Sequence, residues 1–133
     1  MAIQPYSVGE EFFTACYQGD LPRARDSIRR GAEVNYTCRN GWQAIHGACQ
    51  SGQFEAVKFL IEKGCNVEMP NALGQTPLHL ACAAGHVQIA GWLVNVCKID
   101  AKARTTGGAT AADVARRSGH RDIVNLLGED LEV

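Results

Sequence analysis

The sequence has no apolar run near the ~20 residues that a membrane-spanning helix requires, so nothing in its 133 residues reads as a bilayer span. The opening stretch MAIQPYSVGEEFF lacks a basic head followed by a long apolar segment, and no secretory signal is read there. Charge of one sign is also scarce. Basic residues number 13 and acidic residues 14, a net charge of −1, so no bulk field directs the chain to nucleic acid or an anionic membrane. Missing too are a glycine-rich loop to cradle phosphate, a carboxylate pair spaced for acid–base work, and a nucleophile elbow. The expectation is a cytoplasmic or nuclear protein that is not an enzyme and takes no cofactor.

What is present is a period. Gly19, Gly52 and Gly85 recur every thirty-three residues behind Ala15-Cys16, Ala48-Cys49 and Ala81-Cys82, and Gly41 and Gly74 open two of the units. A fixed period of this length marks a stacked repeat in which neighbouring units bury a shared core. An apolar content of 46% is enough to supply that core. The chain is therefore read as one repeat domain over 1–133, with units at about 8–40, 41–73, 74–107 and 108–128 and an acidic tail at 129–133. A stack presents an extended surface rather than an enclosed pocket, which favours binding over chemistry.

The third unit, GQTPLHLACAAGHVQIAGWLVN, carries the local signals most fully. Thr76 is placed to cap a helix and Pro77 to begin it, where its missing N–H costs nothing. Leu78, Ala81 and Cys82 share one helical face, and Gly85 closes the helix in a left-handed turn. Ile89, Leu93 and Val94 form the apolar stripe of a second helix.

Thr76-Pro77-Leu78-His79-Leu80-Ala81 followed by Gly85-His86 resembles the ankyrin repeat. The second unit matches at Gly41, His46, Ala48, Gly52 and Gly64-Cys65-Asn66-Val67, with Gln43-Ala44 in place of Thr-Pro. The first keeps Ala15, Gly19 and Gly31 to Asn35, and the last keeps Gly108, Thr110, Ala115, Gly119-His120 and Leu126-Leu127. The resemblance implies an all-α solenoid of about four helix-turn-helix repeats, joined by β-hairpin fingers and closed by capping units. The third unit lacks the glycine found at Gly31 and Gly64. Asp100 to Gly108 also spans eight residues against six from Glu68 to Gly74, which predicts a last finger two residues longer.

Of the six cysteines, Cys16, Cys49 and Cys82 hold one repeat position. Equivalent positions on stacked helices lie about 10 Å apart, beyond the reach of a disulfide, so these three read as small buried hydrophobes. Cys38, Cys65 and Cys97 fall near turns and read as the exposed thiols, which leaves a thiol- or metal-responsive sensor as the alternative function. His46 with Cys49, and His79 with Cys82, have plausible zinc spacing within each pair, but the pairs repeat along the stack instead of converging. The resemblance implies that His79 is structural, so no metal site is expected.

In the resembled family the partner rests on the concave face, on finger tips and the exposed side of the first helices. By matching position, the candidate partner-binding residues are Tyr17, Gln18, Arg39, Asn40, Trp42, Gln50, Ser51, Leu73, Gln75, Arg104 and Arg117, and Tyr36 and Met69 join them as large apolar residues nearby along the groove. Trp42 leads this set because Gln75 and Ala109 stand at its equivalents, a range that a buried position would not accept. Tryptophan and tyrosine also anchor interfaces out of proportion to their number. Trp92, at the position of Phe59, is read as core.

The late basic residues Lys98, Lys102, Arg104, Arg116, Arg117 and Arg121 lack interleaved aromatics and read as a solvated face, with an acidic protein partner as the alternative. Leu131-Glu132-Val133 has the form of a minimal PDZ-groove ligand, with a frayed tail as the default. The expected function is a non-catalytic adaptor, competitor or inhibitory subunit, monomeric on its own, that binds another protein.

Overall fold

A computed structural model of the chain describes residues 7–128. It contains four helix pairs in chain order: α1 (Val8–Gln18) with α2 (Leu21–Arg29), α3 (Ala44–Ser51) with α4 (Phe54–Glu62), α5 (Pro77–Ala84) with α6 (Val87–Asn95), and α7 (Ala111–Arg117) with α8 (Arg121–Leu126). The first helices stack on one another as α1, α3, α5, α7, and the second helices flank them. The PDZ-like Leu131-Glu132-Val133 lies outside the described residues.

Three of the four first helices begin on a side chain that accepts one of their free amides. In α1, Ser7 Oγ accepts the Glu10 amide at 3.1 Å and Glu10 Oε1 accepts the Ser7 amide at 3.3 Å. Thr110 and Asp113 make the same reciprocal pair at the start of α7, at 3.2 and 3.0 Å. In α5 a histidine replaces the acid: His79 Nδ1 accepts the Thr76 amide at 3.0 Å. Each satisfied cap of this kind contributes about 1 kcal/mol. Helix α3 keeps the histidine half, with His46 Nδ1 accepting the Gln43 amide at 2.9 Å. The Gln43 side chain is buried and its Oε1 has no partner, the physical cost of having glutamine where the third repeat has threonine.

Small residues allow the first helices to approach closely. Ala15, Ala48, Ala81 and Ala115, with Cys16, Cys49 and Cys82, are all 0% exposed. Ile45, Leu60, Leu78, Ile89, Leu93 and Ile123 fill the space between the layers, each contributing about 2 kcal/mol of apolar burial. Arg30 joins α1 to α2, bonding Glu11 at 2.9 Å and Asp26 at 3.0 Å. Trp92 packs against the core and meets Phe54 edge-on at 5.6 Å, in keeping with its reading as core.

The fingers differ from the expectation in two ways. No strand occurs among the described residues. One backbone bond joins the arms of each finger: Cys38 to Trp42 at 2.7 Å, Asn71 to Gln75 at 2.9 Å, and Thr105 to Ala109 at 2.9 Å. A second tightens each tip, from Trp42 to Arg39 at 3.3 Å, from Gly74 to Asn71 at 2.9 Å and from Gly108 to Thr105 at 2.8 Å. Neighbouring fingers share one more each, from the Ala72 amide to the Asn40 carbonyl at 2.8 Å and from the Thr106 amide to the Leu73 carbonyl at 2.9 Å. That is too short a run to make a ladder.

The last finger is also not lengthened. Left-handed residues Gly31, Gly64 and Lys98 each stand ten residues before Gly41, Gly74 and Gly108. Lys98, at φ 57°, therefore takes the glycine role one residue late. Asp100 is the equivalent of Asn66, since its carboxylate caps the Lys102 amide as Asn66 caps Glu68. The added residue belongs to the turn after α6, where the Ile99 amide reaches back to the Leu93 carbonyl at 3.3 Å.

Candidate functional site

The groove between fingers and first helices is fixed by two buried histidines. Nε2 of His46 donates to the Met69 carbonyl at 2.6 Å, and Nε2 of His79 to the Ala103 and Ala109 carbonyls at 3.0 and 3.1 Å. With Nδ1 accepting at the helix start, each ring is a neutral strut between a first helix and the finger that follows it. Burial lowers both pKa values below the usual histidine range, because a charge there would be desolvated. No group of three or more metal-ligating side chains converges among the described residues.

Two open hollows lie on the finger side. The first, about 630 Å³, is lined by Glu10, Phe13, Tyr36, Thr37, Cys38, Arg39 and Trp42. The second, about 390 Å³, is lined by Leu73, Gln75, Thr105, Thr106, Gly107, Ala109, Val114 and Arg117. Between them the floor is made by Gln50 and by Ala83 and Ala84, all exposed.

The expected binding residues divide between these features and the scaffold. Tyr36, Arg39 and Trp42 meet in the first hollow, and Leu73, Gln75 and Arg117 in the second. Tyr17, 42% exposed, stacks on Phe13 at 6.4 Å, and Gly47 leaves room for both rings. Leu73 is 61% exposed at the tip of the second finger. Gln18, Arg39 and Arg117 are exposed as well.

Other members are tied into the frame. The Ser51 hydroxyl reaches the Tyr17 carbonyl at 2.7 Å and the Gly47 carbonyl at 2.8 Å. Gln75 Oε1 accepts from Asn71 at 2.9 Å. Asn40 sits at φ 61° with its carbonyl used by the next finger, and the Met69 carbonyl is taken by His46. Arg104 Nη1 bonds the Gly108 carbonyl at 2.7 Å while the residue stays exposed.

Trp42 is half-buried, not free: its ring lies 5.9 Å from His46, and its equivalent Ala109 is 5% exposed. The position accepts tryptophan, glutamine and alanine because it borders both core and groove. Sequence reading passed over Glu10, Phe13 and Val114. The i, i+4 step from Phe13 to Tyr17 and the i, i+3 step from Val114 to Arg117 were the available signals.

The three cysteines expected to be exposed are half-buried. Burial pushes the Cys65 thiol up to about 12 and raises those of Cys38 and Cys97. These are the opposite of activating surroundings. Cys16 and Cys82 are likewise pushed up to about 12 by burial.

Stacked helix pairs with fingers on one side and open hollows beneath them define a helical repeat solenoid. The family model described as ankyrin repeats (3 copies) matches residues 12–105 and again 71–133, and the chain belongs to the ankyrin-repeat family. A comparison with curated proteins finds no match. Ankyrin repeats are in general protein–protein interaction modules and typically non-catalytic. No helix among the described residues is long and apolar enough to cross a membrane.

Proposed function

We propose that this protein is a non-catalytic docking module that holds a segment of another protein in the groove between its fingers and first helices. It acts there as an adaptor, a competitor or an inhibitory subunit. The observation that carries the reading is the pairing of two open hollows with exposed apolar side chains, Tyr17 and Leu73, on the same side of the stack. Such side chains gain by being covered, and a rigid frame loses little entropy when a partner arrives. The reading takes the chain as one domain of four repeats, monomeric and cytoplasmic, with end units as caps. The exposed Arg25 and Arg29 of α2 and Arg116, Arg117 and Arg121 around α7 and α8 support polar ends.

The test compares partners captured from native lysate by the wild-type chain and by a Tyr17→Ala/Leu73→Asp variant. Both changes are at exposed sites, and circular dichroism checks that the variant folds. Proteins retained by the wild type and lost by the variant support the groove. Identical recovery from both overturns it.

A further inference from the structure

We infer that the groove is graded from an aromatic end to a cationic end, and that its occupant is an extended acidic segment of a partner protein. This rests on the docking reading above and adds the chemistry and spacing of the ligand. At one equivalent place in α1, α3, α5 and α7 stand Tyr17, Gln50, Ala83 and Arg117, so the floor passes from ring to polar to small to guanidinium. At the bordering finger position, Trp42 gives way to Gln75 and then to Ala109, which opens the far end.

The second hollow contains Arg117 and no carboxylate. Arg117 is exposed and forms no ion pair among the described residues, whereas its neighbour Arg116 is held by Asp113 at 3.1 Å. Arg104, at the base of the third finger, adds a second exposed guanidinium, with one of its nitrogens engaged by the Gly108 carbonyl. Leu73 and Val114 line this hollow beside the charge. At the aromatic end the hollow is lined by one carboxylate, Glu10, which accepts from Ser7, and by one guanidinium, Arg39, so the two charges offset each other there. The net charge of the lining is therefore balanced in the first hollow and positive in the second.

The first helices that line the two hollows, α1 and α7, stand three places apart in the stack and their fingers two, which is about 20–30 Å at the ~10 Å spacing of packed helices. An extended chain advances about 3.3–3.6 Å per residue, so about six to nine residues bridge them. The fitting segment carries a large apolar residue for the Phe13–Tyr36–Trp42 hollow. About six to nine residues away it carries an aliphatic side chain for Leu73 and Val114 beside an Asp or Glu for Arg117. The planar guanidinium takes such a carboxylate through two parallel hydrogen bonds.

The experiment pans a library of random twelve-residue peptides against the full chain and measures the selected peptides by fluorescence anisotropy. The expected consensus joins a bulky apolar residue to an acidic–aliphatic pair about six to nine positions away. Arg117→Gln, at an exposed site, is expected to weaken these peptides about fivefold and to flatten their salt dependence. Peptides that lose affinity with Tyr17→Ala/Leu73→Asp but ignore Arg117→Gln, or that carry no acid, overturn the inference and leave the docking reading standing. Peptides indifferent to both variants overturn the docking reading as well. Selection of no peptide, or preferential binding of a single-stranded oligonucleotide by Arg104 and Arg117, overturns the inference.

Discussion

Nε2 of His46 lies 2.6 Å from the carbonyl oxygen of Met69, twenty-three residues further along the chain, so a side chain on one helix sets the height of the finger leading to the next. His79 does the same for the third finger through two carbonyls. Replacing His79 with alanine leaves both carbonyls short of a donor and opens a cavity. The expected loss is about 2–4 kcal/mol in urea unfolding. His86→Ala, which removes a single partly exposed bond to the Gln50 carbonyl, is expected to cost about 1 kcal/mol. Equal costs for the two variants would refute this ranking.

The same histidines give the stack a pH dependence of defined sign. Burial lowers their folded-state pKa values below the unfolded value, so the unfolded chain binds the extra protons. The stabilisation is complete above about pH 6.5, the unfolded value, and is lost as pH falls through the folded values. Melting midpoints at pH 7.5 and 5.5, both above the carboxylate range, are expected to be lower at 5.5. A flat profile would contradict the neutral-strut role.

Gly74 and Gly64 share a left-handed backbone but differ in surroundings. A Cβ on Gly74 would stand 2.6 Å from the Thr106 amide nitrogen, whereas one on Gly64 would meet nothing within 4 Å. Gly64→Ala should cost about 1 kcal/mol of backbone strain. Gly74→Ala should cost more, since it must also break the Thr106–Leu73 bond between fingers. Thermal unfolding of the two variants tests the order.

Gln43→Thr is a stabilising change. It removes the orphaned Oε1 and supplies the hydroxyl that Thr76 gives α5, at the expense of the Gln43–Thr37 bond of 3.2 Å. A net gain of about 0.5–1 kcal/mol is expected by chemical denaturation, and a loss would mean that the Thr37 bond outweighs the cap.

Thiol titration separates docking from redox sensing. All six cysteines should react in denaturant. In the native state Cys16, Cys49 and Cys82 should stay silent, and Cys38, Cys65 and Cys97 should react slowly. One fast native thiol would revive the sensor.

The helix pairs were legible because their signals are local: Thr76-Pro77 at a start, Gly85 at an end, Leu78-Ala81-Cys82 on one face. What escaped depends on residues distant in sequence. The Arg30–Glu11 ion pair joins residues from two helices with no shared pattern. The position of the inserted residue was misread because lysine took a left-handed turn that glycine holds elsewhere, and only the backbone reveals which residue turned. The finger residues of the groove were reachable through the repeat, but its lining by Phe13 and Val114 required knowing which helix faces rise between the fingers.

The side-chain bonds that reach back from each repeat to the preceding first helix have one direction. Ser51 donates back to the Tyr17 carbonyl, His86 to that of Gln50 and His120 to that of Ala83. The farthest of these reaches spans thirty-seven residues. A chain leaving the ribosome would thus find the acceptors of each earlier repeat in place as the donors of the next emerge. Assembly can keep pace with synthesis, one repeat at a time, without waiting for a distant segment to return.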